Sequence, residues 1–82
     1  MNYIVLSVIA RNSYSILEFE RIKERVNKAL SLELVDTKTI FWDENGDFLF
    51  HPPIHKLDKG YWISALNNLL VNTNWEVVRG KV

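Results

Sequence analysis

Two histidines, His51 and His55, frame the stretch His51-Pro52-Pro53-Ile54-His55. Imidazoles at this spacing can hold a metal or exchange protons near neutral pH. On a helix they would share one face, but Pro52 and Pro53 lack amide donors and push the residue before each toward extended backbone. With no third ligand at a recognisable spacing, His51 and His55 read as ligand contacts rather than as a metal pair or an acid-base couple. A second candidate is Arg11-Asn12-Ser13-Tyr14-Ser15, where a cationic side chain and small polar groups precede a helix whose first amides lack intrahelical partners. Such a turn suits an anion, although no glycine allows a phosphate close approach. A third is Asp43-Glu44-Asn45-Gly46-Asp47, whose alternating oxygen donors resemble a calcium loop. Its glycine falls at the fourth position rather than the sixth, and Ile54 stands where the bidentate glutamate belongs, so it reads as a hairpin tip. Aromatic side chains form the fourth group: Trp42, Phe48, Phe50, Tyr61, Trp62 and Trp75 serve as core, as interface anchors or as stacking platforms.

The elements that must position these residues follow from hydrophobic period. Tyr3 to Ala10 is an almost unbroken apolar, β-branched run and reads as a central strand, apolar on both faces. Ser15 and Glu18 have the capping-box spacing, and Tyr14 and Phe19 that of a hydrophobic staple, so a helix starts there and runs to about Leu30. Its buried stripe is Phe19, Ile22, Val26, Ala29 and Leu30. Residues 32–42 and 47–51 read as a hairpin joined by a two-residue type I′ turn at Asn45-Gly46. That turn sets Trp42 opposite Leu49 and Phe41 opposite Phe50, and places Ile40, Trp42, Leu49 and His51 on one face, Phe41, Phe48 and Phe50 on the other. A second helix over 61–71, capped by Asp58 or Gly60, turns Trp62, Leu66, Leu69 and Leu70 inward. A short strand over 75–78 closes the chain before a basic Arg79-Gly80-Lys81 tail.

The order βαββαβ has one common solution, a ferredoxin-like α+β sandwich: a four-stranded antiparallel sheet in the order 4-1-3-2 with two helices on one face. Strands 1 and 3 would be central. Glu33, Asp36 and Lys38 would blunt strand 2 as an edge. The helices cover one face only, so homodimerisation through the other is the expected use of its apolar residues.

The 82 residues are read as a single domain, 1–82. Without cysteine there is no disulfide framework or thiolate metal site, and a cytoplasmic location fits. Ten basic and ten acidic residues cancel, which removes the bulk attraction of a general nucleic-acid binder. The charge is uneven, with five basic and three acidic residues over 11–31 but one basic and five acidic over 33–47. An RNA-recognition module would display Tyr3, Phe48 and Phe50, but no basic-Gly-aromatic sequence opens strand 3 and the neighbouring hairpin is acidic. The turn Ala10-Arg11-Asn12 lacks the glycines of an acylphosphatase loop, and strand 1 does not end in the carboxylate of a dimeric metal nuclease.

The leading functional reading is a non-catalytic homo-oligomer that captures a small anionic, nucleotide-like ligand through Arg11, Asn12, Ser13, Trp42, His51, His55 and Tyr61. The second is a small inhibitor or adaptor, of the kind found among mobile-element accessory proteins, that acts by protein contact. A metal- or histidine-dependent hydrolase comes third. No cofactor is expected, and the partners are a second copy, an anionic ligand or another protein rather than nucleic acid or membrane.

Overall fold

The computed structural model describes residues 2–80. Strand β1 (Ile4–Ala10) leads into helix α1 (Ile16–Leu32), a single 3-10 turn (Thr37–Thr39), the hairpin β2 (Phe41–Trp42) and β3 (Asp47–Phe50), helix α2 (Lys59–Leu69) and strand β4 (Trp75–Arg79). The sheet is antiparallel in the order β2-β3-β1-β4, which is the expected 4-1-3-2 counted from the other edge. Alternation along β1 sends Ile4, Leu6 and Val8 into one core with Ile22, Val26 and Leu30 of α1 and Trp62 and Leu66 of α2. Tyr3, Val5, Ser7 and Ile9 therefore lie on the face the helices leave open. The entry to α1 forms as its sequence requires: Ser15 Oγ accepts from the Glu18 amide, Glu18 Oε1 accepts from the Ser15 amide, and the Tyr14 and Phe19 rings lie 6.2 Å apart. Asp58 caps α2 by accepting from the Gly60 amide.

The hairpin corrects the expected register by one residue. Trp42 pairs with Phe48 and Phe41 with Leu49. The type I′ turn does not form, because Asp43, not Glu44, opposes Asp47: the Asp43 amide donates to the Asp47 carbonyl at 2.9 Å. The loop thus holds three residues and ends in Gly46 at φ +91°. The Asp43 carboxylate stabilises the wider loop by accepting from the amides of Asn45 and Asp47, each at 2.9 Å. Since side chains alternate, the slip moves Trp42, Phe48 and Phe50 together to the helix side and leaves Phe41 and Leu49 on the open side.

The segment before the hairpin is also corrected. Residues 32–40 are not strand, and Glu33, Asp36 and Lys38 do not lie on an edge. Helix α1 continues to Leu32, and Glu33 is its C-cap. The Leu34 amide then donates to Ser31 and the Val35 amide to Leu30, both at 3.0 Å, the pair of bonds that closes a helix through a left-handed residue. Leu34 occupies that position at φ +71°, where glycine is usual. Asp36 caps the 3-10 turn by accepting from the Lys38 amide.

The free edge of β4 is closed by a side chain. The Asn67 carboxamide on α2 accepts from the Val77 amide at 2.8 Å and donates to the Val77 carbonyl at 2.9 Å, taking the place of a neighbouring strand. The opposite edge, β2, is two residues long. Of the tail, Arg79 ends β4 and Gly80 donates to the Val5 carbonyl at 3.3 Å, while Lys81 lies outside the described residues.

Of the three residues at positive φ, Leu34, Gly46 and Asn72, the first two give opposite expectations. A Cβ at Gly46 would meet the Val8 carbonyl oxygen at 2.5 Å. Gly46→Ala should therefore destabilise by roughly 2 kcal/mol, lowering the melting temperature on the order of 10 °C. Leu34 is exposed, so Leu34→Gly removes backbone strain with little loss of packing and should stabilise by about 0.5–1 kcal/mol. Thermal unfolding of both variants checks this, and equal signs would contradict the assigned backbone.

Candidate functional site

The residues singled out in the sequence do not form one site. At one end of the sheet Ala10 pairs with Trp75, and at the other Ile4 pairs with Phe50. Six strand steps of about 3.3 Å separate them, some 20 Å. Arg11, Asn12 and Ser13 follow Ala10 at the first end; His51, His55 and Tyr61 follow Phe50 toward the second. A small ligand on one chain cannot reach both groups.

At the Arg11 end the donors already have partners. The guanidinium donates to the carbonyls of Thr73 at 2.9 Å and Trp75 at 3.4 Å and lies 3.7 Å from the Glu76 carboxylate. The Asn12 amide donates to Asn74 Oδ1 at 2.9 Å, and Asn74 Nδ2 donates to the carbonyls of Asn12 and Ser13. The turn is therefore clamped onto the loop between α2 and β4. An anion here would have to displace Glu76.

Trp42 stacks on Phe48 at 4.4 Å on the helix side, and its indole N–H donates to Asn27 Oδ1 at 2.9 Å. It belongs to a row of rings running under the helices, Trp75 to Phe19 (5.8 Å), Phe19 to Trp42 (6.5 Å), Phe48 to Phe50 (5.8 Å) and Phe50 to Trp62 (5.2 Å). Phe48 and Phe50 are buried in this row and present no face on which a base could stack.

At the far end, His51 Nδ1 lies 3.2 Å from the Asn2 carbonyl, so the Nδ1–H tautomer donates to it, and the ring meets Tyr3 edge-on at 6.4 Å. His55 is exposed in the turn after the prolines. Tyr61 belongs to a small polar cluster with Glu33 and Lys56 that the sequence does not announce: its hydroxyl donates to Glu33 Oε1, and Lys56 Nζ lies 2.9 Å from Glu33 Oε2. The Tyr61 hydrogen bond, with that from Lys56, holds the Glu33 carboxyl below its ordinary pKa, and the bond to Glu33 raises the Lys56 ammonium. Glu33 and Lys56 escape the sequence reading because their partners are 28 and 23 positions away. Among the described residues no three His, Cys, Asp or Glu side chains gather as a metal-binding group, and no helix is long and apolar enough to cross a membrane.

The face of the sheet opposite the helices carries exposed apolar side chains. In register, Phe41, Leu49 and Val5 form one row across β2, β3 and β1, and Asp43, Asp47, Ser7 and Val78 form the next. Phe41 is 63% exposed, Tyr3 53% and Ile9 41%. Val5 and Ser7, at the centre of the sheet, are nearly buried by their neighbours. An open groove of about 260 Å³ runs here, lined by Val5, Phe41, Leu49, Asp43 and Asp47 among others. The Ser7 hydroxyl donates to the Asp47 carboxylate, which orients that carboxylate on the face. The expected hairpin register set Phe41 on the face of Phe48 and Phe50; the observed register puts it with Leu49 on the other.

No protein-family model, curated protein or solved structure matches the chain. The functional reading rests on this geometry.

Two outcomes follow. Arg11→Ala should cost about 1 kcal/mol of stability, since its hydrogen bonds join the β1 end to the loop before β4. A melting temperature equal to the parent's would contradict that role. Glu33, with its pKa depressed on folding, adds stability that is present above its unfolded value and lost as pH falls through the folded one. In urea unfolding, the parent should exceed Glu33→Gln at pH 7, and the gap should close under acid, below about pH 4. A gap independent of pH would contradict the charged cluster.

Proposed function

We propose that this chain is a non-catalytic interaction protein that binds a protein partner through the open face of its sheet. The observation that carries the reading is Phe41, a large aromatic side chain 63% exposed on the strand β2, beside the half-buried Leu49 on the face opposite the helices. Exposed aromatics on a pre-formed surface are the usual anchors of interfaces. Contact by the face is favoured over contact by an edge, because Asn67 occupies the β4 edge and β2 offers only two residues. It is also favoured over anion capture at Arg11, whose guanidinium is engaged by Thr73, Trp75 and Glu76.

The test places a photo-crosslinking amino acid at position 41 and, in a second full-length protein, at position 24 on the solvent face of α1. After irradiation in the native host extract, position 41 should give a discrete adduct that purified protein alone does not give, and position 24 should not. Adducts from position 24 and none from position 41 would move the function to the helix side.

A further inference from the structure

Resting on that reading of the open face, we infer that its partner is a single cationic, apolar segment, with an arginine or lysine side chain lying in the groove between Phe41 and the carboxylates of Asp43 and Asp47. Charge is the first argument. Of the charged side chains on this face, Glu76 has Arg11 as its partner, whereas no described basic side chain comes within ion-pair distance of Asp43 or Asp47. Both carboxylates are already oriented, Asp43 by the amides of Asn45 and Asp47, and Asp47 by the Ser7 hydroxyl. They stand at the end of a groove whose remaining side chains are apolar.

Distance is the second argument. Asp43 is two strand positions beyond Phe41, about 7 Å along β2. A long basic side chain has that form: its methylenes pack on Phe41 and Leu49 while its charged head reaches the carboxylates. A guanidinium fits better than an ammonium, since its planar fork can bridge two carboxylates and stack on an aromatic ring. Area is the third argument and decides between a segment and a second copy. The strands β1 to β4 hold seven, two, four and five residues, which at about 3.3 by 4.8 Å per residue make a flat face on the order of 300 Å². A stable protein–protein interface buries about 800 Å² per partner, so this face alone falls short of a firm homodimer but accommodates an extended or helical segment of another chain.

The experiment titrates the isotopically labelled full-length protein with two capped pentapeptides, one alternating leucine and arginine, the other alternating leucine and glutamate, and follows backbone amide shifts at low salt. The arginine peptide should shift Val5, Phe41, Asp43, Asp47 and Leu49, and binding should weaken as salt is added. Asp43→Asn and Asp47→Asn keep the acceptor oxygens that hold the turn and Ser7, so both should fold as the parent does. Each should weaken binding about three- to tenfold, whereas Glu24→Gln on α1, the same change of charge elsewhere, should leave it unaltered. Equal binding of the two peptides, or equal loss in all three variants, overturns the cationic partner while leaving the open face as a docking surface. Shifts confined to the helix side, or none at millimolar peptide, overturn both the inference and the reading it rests on. A face covered instead by a second copy, seen as sedimentation of a dimer with the same residues shifted on dilution, overturns the inference alone.

Discussion

The structure depends on the turn that joins Asp43 to Asp47. A two-residue loop and a three-residue loop differ by one position of register, and on a strand one position exchanges the faces. With the three-residue loop, Trp42, Phe48 and Phe50 fall on one side, where α1 and α2 supply Asn27 for the indole N–H and Trp62 for Phe50. With the shorter loop, Trp42 would be separated from Phe48 and Phe50, and one of the two sets would face water. The local chemistry that selects the loop is modest: two amides donated to one carboxylate and a glycine at positive φ. The burial of Phe48 and Phe50 and the partial burial of Trp42 supply the larger energy, several kcal/mol by the usual transfer estimates. Turn and core therefore select the same register.

Much of the architecture was legible in the sequence, because it rests on period and on capping chemistry within a few residues. The almost unbroken apolar run of β1, the Ser15–Glu18 box and the inward stripe of α1 formed where their spacing put them, while α2 lies two residues earlier than the expected 61–71 and its inward Leu70 is the C-cap. Two parts were not legible. Asn45-Gly46 fits a type I′ turn as well as it fits the end of a longer loop, and the choice lies in the Asp43 side chain and the core beneath. Residues 32–40 alternate apolar and charged side chains as a strand would, but the helix ends through Leu34 at positive φ, a conformation that a leucine does not signal. The candidate site suffered from both. Arg11 read as a free cation because its partners, Thr73, Trp75 and Glu76, are more than sixty residues away, and Phe41 was set on the face of Phe48 and Phe50 because the expected register was one residue off.

What remains outside the core is a surface with distinct parts. One sheet edge is occupied by the Asn67 carboxamide and the other is short, so the backbone offers little to a strand of another chain. The open face carries an apolar row from Phe41 to Val5, with carboxylates beyond it. Its central residues, Val5 and Ser7, are nearly inaccessible, which gives the exposed groups a stiff base. Such a surface is pre-organised for contact, since a partner need not order it. The cluster of Glu33, Lys56 and Tyr61 performs a different task, tying the end of α1 to the start of α2 beside the proline loop.

The composition of both faces follows from the hairpin register. Nuclear Overhauser contacts between the backbone protons of the two strands measure it directly. The observed register gives cross-strand contacts of Trp42 with Phe48 and of Phe41 with Leu49, together with a contact from the Trp42 indole to Asn27. Contacts of Trp42 with Leu49 and of Phe41 with Phe50 would contradict it, and would exchange the residues assigned to the core and to the open face.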